Sequence, residues 1–129
     1  MPEASDITDI RHAVRQLCAK FGESYWLELD RDRGYPTEFV QALTESGFLT
    51  VLIPEAYGGS GLGVYEASII MEEVCRAGAH AGACHAQMYV MGSVLRHGSE
   101  AQKQYYLPKI AAGELRLQSF GVTEPTTGT

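Results

Sequence analysis

Apolar residues recur at the start of the chain every three or four positions: Ile7, Ile10, Val14, Leu17 and Phe21 fall on one face of a helix. Ser5 is placed to cap that helix, and Asp6 and Asp9 lie near the positive end of its dipole, where carboxylates are stabilising. Residues 28–33 alternate in charge and run into Gly34, the pattern of a solvated connection. Pro36 suits the first position of a second helix, since its missing N–H costs nothing there. That helix turns Phe39, Val40 and Leu43 inward and stops at Gly47. Residues 48–53 form an apolar run, closed by Pro54, whose period does not decide between strand and helix. After a glycine-rich loop, residues 64–76 predict a third helix that mixes Tyr65, Ile69 and Val74 with Glu66, Glu72 and Glu73 and ends at Gly78.

Residues 81–97 are rich in small side chains with little charge on any side, which predicts a helix packed all round and ended by Gly98. Ser99 and Gln102 make a capping box for a further helix through Tyr106. Pro108 starts or bends a turn that runs to Ala112, and Gly113 stops it. At residues 117–122 the period changes to two: Leu117, Ser119 and Gly121 point one way, Gln118, Phe120 and Val122 the other, which predicts a strand. The expected fold class is therefore all-α over residues 1–116, with a strand beginning in residues 117–129. A helical domain that switches to a strand at its last residues reads as interrupted rather than complete.

At 129 residues the chain is long enough for one core. Its formal charge of −6 is spread along the sequence, which offers nucleic acid or an anionic membrane no basic patch. Residues 1–6 are acidic and lack a basic segment followed by an apolar one, so no secretory signal is read and the cytoplasm is the default location. The longest apolar stretch, residues 81–95, is too short to span a bilayer and contains His85, Gln87 and Ser93. Cys18, Cys75 and Cys84 are odd in number and form no Cys-x-x-Cys pair, which fits reduced, buried thiols.

The cluster Gly58-Gly59-Ser60-Gly61-Leu62-Gly63 invites a phosphate-loop reading, but it has neither the dinucleotide glycine register nor a Gly-Lys pair. A tight structural turn is the better reading. His80 and His85, five apart, diverge around a helix, and with His12 and His97 they form no metal-ligand pattern. Glu72 and Glu73 are adjacent and without a visible partner, so they read as a solvated face rather than general bases. Residues 118–129 differ in kind: a strand running into a turn rich in hydroxyls and glycine supplies N–H and O–H donors suited to carbonyl and phosphate oxygens.

This last segment resembles the flavin-binding signature of the acyl-CoA dehydrogenase family, aromatic-x-Val-Thr-Glu-Pro-x-x-Gly-Ser-Asp. Phe120 stands at the aromatic position, Val122-Thr123-Glu124-Pro125 and Gly128 match, and Thr129 takes the place of Ser. Two further blocks are similar to the family: residues 54–62 (Pro-Glu-Ala-Tyr-Gly-Gly-Ser-Gly-Leu) and residues 104–114 (Gln-Tyr-Tyr-Leu-Pro-Lys-Ile-Ala-Ala-Gly-Glu). Thr126-Thr127 in place of small residues, and the extra methyl of Thr129, add bulk without removing a donor.

The resemblance implies the N-terminal helical domain of the acyl-CoA dehydrogenase fold over residues 1–116, the first strand and flavin-binding turn of a following β domain over residues 117–129, FAD as cofactor and an acyl-CoA as substrate. It implies Phe120, Gly121, Val122 and Thr123 at the flavin and Gly128 with Thr129 near its pyrophosphate. The resemblance also implies that Thr129 touches substrate and that His85, Ala86 and Tyr89 line the far end of the acyl chain. The implied reaction takes an α-proton with a carboxylate base and passes the β-hydrogen as hydride to flavin. The family's base is a glutamate of a C-terminal domain, so no catalytic residue is assigned in this chain. A homo-oligomer, a homotetramer in relatives, and electron-transfer flavoprotein as electron acceptor complete the expectation. The competing readings are an acyl-CoA oxidase or flavin monooxygenase of the same superfamily, and a non-catalytic helical interaction module. The isolated chain is expected to retain no FAD, to oxidise no acyl-CoA and to self-associate through apolar faces.

Overall fold

Six α-helices and one short 3-10 turn make up the computed structural model of the chain, which describes residues 4–127. α1 (Ala4–Cys18) starts one residue before the expected cap, so Ser5 lies within its first turn. Val14, Leu17 and Cys18 are buried on its inner face, and Phe21, just past its end, packs half-buried against the same core.

α2 (Glu23–Asp32) occupies most of the stretch expected to be a connection. Its alternating charges are the solvent face of a helix whose other side carries Tyr25, Trp26 and Leu29, all half-buried. Phe21, Tyr25, Trp26 and Phe39 meet edge to face with centroids 5.0–5.2 Å apart, the arrangement aromatic quadrupoles prefer. The helix ends with Arg33 in the left-handed region (φ 52°) while the N–H of Gly34 donates to the Leu29 carbonyl at 2.8 Å.

α3 (Thr37–Glu45) buries Phe39, Val40 and Leu43 as its spacing predicts, with Pro36 at the capping position, one residue before the first helical turn. Gly47 (φ 76°) stops it, and the N–H of Phe48 reaches back to the Leu43 carbonyl at 3.0 Å. Residues 48–53 are neither strand nor helix but a succession of turns that buries Leu49, Val51 and Ile53.

A 3-10 turn (Glu55–Tyr57) leads through the glycine loop into α4 (Val64–Arg76), whose bounds match the expected ones. α5 (Ala81–His97) also matches, and α6 (Glu100–Ala111) opens on the expected capping box: Ser99 Oγ accepts from Gln102 N at 3.3 Å while Gln102 Oε1 accepts from Ser99 N at 2.8 Å. α6 does not stop at Tyr106. It continues through Pro108 to Ala111, and the positive φ of Gly113 (75°) ends the element.

α1 packs on α3 and α4, α4 on α5, and α5 on α6, which in turn covers the 3-10 turn. The larger core joins α1, α3, α4 and the first half of α5 through residues such as Phe39, Leu43, Ile70 and Cys84. A smaller one gathers Ile53, Met91, Leu107 and Ile110 beneath α6. Each fully buried Leu, Ile or Phe here is worth about 1.5–3 kcal/mol over its exposed state. Among the described residues no helix is long and apolar enough to cross a membrane.

Two charge and thiol expectations are corrected by the packing. Glu73 does not sit on a solvated face: its side chain is fully buried, and α1 brings two arginines to it. Arg15 Nε donates to Oε2 at 2.6 Å and Arg11 Nη1 to Oε1 at 2.6 Å, while Arg11 Nη2 also holds the exposed Glu72 at 2.7 Å. The Arg15 hydrogen bond, with that of Arg11, holds the Glu73 carboxyl down at about 2 against the opposing effect of burial. Cys18 and Cys84 are buried free thiols, and burial pushes Cys84 up to about 12, but Cys75 is exposed on the outer side of α4.

Beyond α6 the described residues carry no strand. Residues 115–123 have no regular structure, and among the described residues nothing lies beside 117–122 to form a ladder with it. Alternation is therefore present in the sequence without the sheet that would read it. Glu124 and Thr127 exchange backbone hydrogen bonds at 3.2 and 3.3 Å, closing the expected turn over Pro125 and Thr126.

Candidate functional site

The glycine loop resolves first, because its donors can be followed one by one. The N–H of Gly58 donates to the carbonyl of Glu55, Gly59 to Pro54, Ser60 to Thr50, Gly61 to Ile53 and Leu62 to Val51, at 2.7–3.4 Å. The N–H of Gly63 donates to Glu66 Oε2 at 2.8 Å. All six donors are spent on the protein, so none is left to cradle a phosphate. A Cβ at Gly59 would fall 2.1 Å from the Ile53 carbonyl oxygen, which explains the glycine by close backbone approach. The structural-turn reading of this cluster is the one the geometry supports.

The terminal segment is the opposite case. Among the described residues, no backbone N–H from Arg116 to Thr123 donates to a backbone carbonyl. Ser119, Phe120, Gly121, Val122 and Thr123 are all exposed. The segment thus presents unspent donors beside an aromatic ring, a donor set that fits a flat cofactor bearing ring carbonyls and phosphates. Gly128 and Thr129, the two residues expected at the pyrophosphate, lie outside the described residues.

The structure brings together two sets of residues that the sequence keeps about thirty positions apart. Phe120 stacks on Tyr89 of α5, with centroids 5.0 Å apart and planes 26° apart. Tyr89 in turn meets His85 one helical turn earlier, with centroids at 4.8 Å. His85 and Tyr89 are exposed and Ala86 is half-buried beside them. So α5 is not packed all round as expected: its inner face buries Cys84, Gln87, Met88 and Met91, and its other flank is open and carries these rings.

Sequence reasoning missed the residues that seat the segment. Gln118 Nε2 donates to the Ala83 carbonyl of α5 at 2.8 Å and lies 3.1 Å from the Tyr35 hydroxyl. Arg116 Nη1 donates to Gln87 Oε1 and to Thr44 Oγ1, both at 3.2 Å. Gln87 is fully buried, and its Nε2 has no hydrogen-bond partner among the described residues. The available signal was the amide itself, a glutamine on the apolar side of a buried helix, which has to find a partner. Elsewhere no cluster of three or more His, Cys, Asp or Glu side chains among the described residues is arranged to hold a metal.

The family model described as "Acyl-CoA dehydrogenase, N-terminal domain" matches residues 5–114. The chain is 35% identical over 127 residues to the acyl-CoA dehydrogenase FadE12 of Mycobacterium tuberculosis, covering 98% of this chain and 32% of that protein. It is 35% identical over 136 residues to the mitochondrial isovaleryl-CoA dehydrogenase of Pongo abelii, covering 95% of this chain and 30% of the relative. Among solved structures, an acyl-CoA dehydrogenase from Bacillus anthracis in complex with FAD superposes with a TM-score of 0.78 at 28% identity, over 98% of this chain and 22% of that one. A glutaryl-coenzyme A dehydrogenase in complex with glutaryl-CoA superposes with a TM-score of 0.79 at 32% identity, over 99% of this chain and 33% of the other. The chain spans about a third of the length of the curated relatives it matches.

Proposed function

This chain belongs to the acyl-CoA dehydrogenase family, and we propose that it forms the N-terminal part of an FAD-dependent enzyme that oxidises an acyl-CoA thioester to a trans-2-enoyl-CoA. The observation that carries this reading is the meeting of Phe120 with Tyr89 and His85, which puts the flavin-type segment and the open flank of α5 at one place. Residues 117–129 belong in this reading to a β domain that follows the helical one.

Residues 120–123 with Gly128 and Thr129 would hold FAD, whose chemistry there would be to supply the acceptor for the hydride from the β-carbon. The chain's own part is to bind and orient. Exposed N–H groups at Phe120 to Thr123 offer fixed donors to the flavin ring, and Gly128 with Thr129 is assigned to the pyrophosphate and, through Thr129, to the substrate. The open flank at His85, Ala86 and Tyr89 receives the distal acyl chain and keeps water from it. The carboxylate that takes the α-proton is assigned to no residue of this sequence, and the helical domain acts as one wall of the site. A homo-oligomer, electron-transfer flavoprotein as acceptor and a cytoplasmic location belong to the same reading.

The test is flavin content and reductive bleaching. The enzyme carrying this sequence is expected to purify yellow, to bleach under anaerobic conditions on addition of a saturated acyl-CoA, and to reoxidise slowly in air. A colourless protein would sink the flavin assignment. Rapid reoxidation by oxygen would move the reading to an acyl-CoA oxidase or a monooxygenase. The 129-residue chain alone is expected to bind neither FAD nor acyl-CoA stably, because it offers only part of each surface.

A further inference from the structure

Among the described residues no backbone–backbone hydrogen bond fixes residues 116–123, yet the segment lies against α5 in a defined register. Side chains must therefore set that register. Two of them reach the helical body. Gln118 spans from the Ala83 carbonyl in the first turn of α5 to Tyr35 in the link between α2 and α3. Arg116, two residues earlier, joins Gln87 one turn further along α5 to Thr44 near the end of α3. Both side chains are half-buried, and both anchors precede the first exposed residue, Ser119.

The geometry points to Arg116 and Gln118 as positioning residues that set where Phe120 to Thr123 stand over α5, and so where the flavin ring lies relative to the acyl chain. This rests on the reading that Phe120 to Thr123 contact FAD. Ala83 and Gln87 are successive acceptors on one ridge of α5, four residues apart, and Arg116 and Gln118 share one side of an extended chain when spaced by two. The two contacts pin the segment at two points one helical turn apart, Arg116 at Gln87 and Gln118 at Ala83 nearer the helix start, and the chain then turns back so that Phe120 stacks on Tyr89. The arginine is suited to the first contact because one terminal nitrogen, Nη1, carries two N–H groups and serves both Gln87 and Thr44. The amide is suited to the second because it donates to a helix carbonyl without bringing a charge to the cofactor side. Neither residue touches the reacting atoms.

The experiment has two readouts. In the 129-residue chain, nuclear Overhauser contacts between the Tyr89 and Phe120 rings report the register with no cofactor present. They are expected in the wild type, lost in Gln118→Ala and Arg116→Ala, lost in Gln118→Glu, which keeps shape but not the donor, and largely kept in Arg116→Lys. In the flavin-loaded enzyme carrying this sequence, Gln118→Glu and Arg116→Ala are expected to lower kcat about tenfold or more, with a smaller change in KM and a shifted flavin absorption band. Arg116→Lys is expected to restore part of kcat and the band. Ring contacts that persist in both alanine variants overturn the inference. So does a loss of kcat with an unshifted band and no recovery by lysine, the result of a merely structural role. A wild-type enzyme without flavin would instead fail the functional reading, and the ring contacts would still decide this one.

Discussion

α1 and the terminal segment are both held to the helical body by side chains distant in sequence, but by different physics. α1 buries Val14, Leu17 and Cys18 and then closes over the buried Glu73 with two arginines. The terminal segment buries little: Leu117 and Gln118 are half-covered, residues 119–127 are exposed, and the Arg116 guanidinium, the Gln118 amide and one ring stack do the holding. Apolar burial makes α1 part of the cooperative core. The terminal segment draws on contacts worth roughly 1 kcal/mol each, the low-stability end from which adjustable binding elements are taken.

The core carries the steepest penalty for substitution. Phe39, fully buried among Phe21, Trp26 and Leu43, is expected to cost about 3–5 kcal/mol when replaced by alanine, read as a lower urea midpoint. A loss below about 1 kcal/mol would mean that the α1, α3 and α4 body is not packed as described.

Next comes Glu73. Replacement by glutamine is expected to cost about 2 kcal/mol at neutral pH, below the roughly 3–5 kcal/mol of a pair buried on both sides, because both arginines reach water. The carboxyl is held down to about 2 in the fold from 4.5, so its contribution is complete above about 4.5 and is lost as pH falls toward 2. Denaturation of wild type and Glu73→Gln across that window should show the two converging. Parallel curves would deny the clamp.

Ser99→Ala removes the side-chain half of the α6 cap and is expected to cost about 1 kcal/mol, seen as a small drop in Tm. The smallest effect belongs to Phe120→Ala, below about 0.5 kcal/mol in global stability, since the ring is 47% exposed and lies outside both cores. If that substitution unfolded the chain, the two regions would not differ in the way described.

How much of this was legible depended on the range of the interaction. α4 and α5 were readable to their ends, and the stops at Gly47, Gly78 and Gly113 were readable too, because a glycine in a left-handed turn is a local requirement. α2 was not, since Tyr25, Trp26 and Leu29 are only half-buried and its charges alternate as a loop's would. The continuation of α6 through Pro108 was missed because packing of Leu107 and Ile110 outweighs the local preference of proline to end a helix.

The sequence by itself determined the helical class, both ends of α4 and α5, the structural role of the glycine loop and the family to which the terminal motif points. These rest on periodicity, caps and ordered motifs, all encoded within about a dozen residues. Only the tertiary structure decided that Glu73 is buried rather than solvated, because its partners Arg11 and Arg15 lie 62 and 58 residues away. It alone decided that Phe120 rests on Tyr89, and that residues 117–122 form no strand without a neighbour to pair with. A burial or a ladder is a property of two segments at once, and no single stretch of chain carries it.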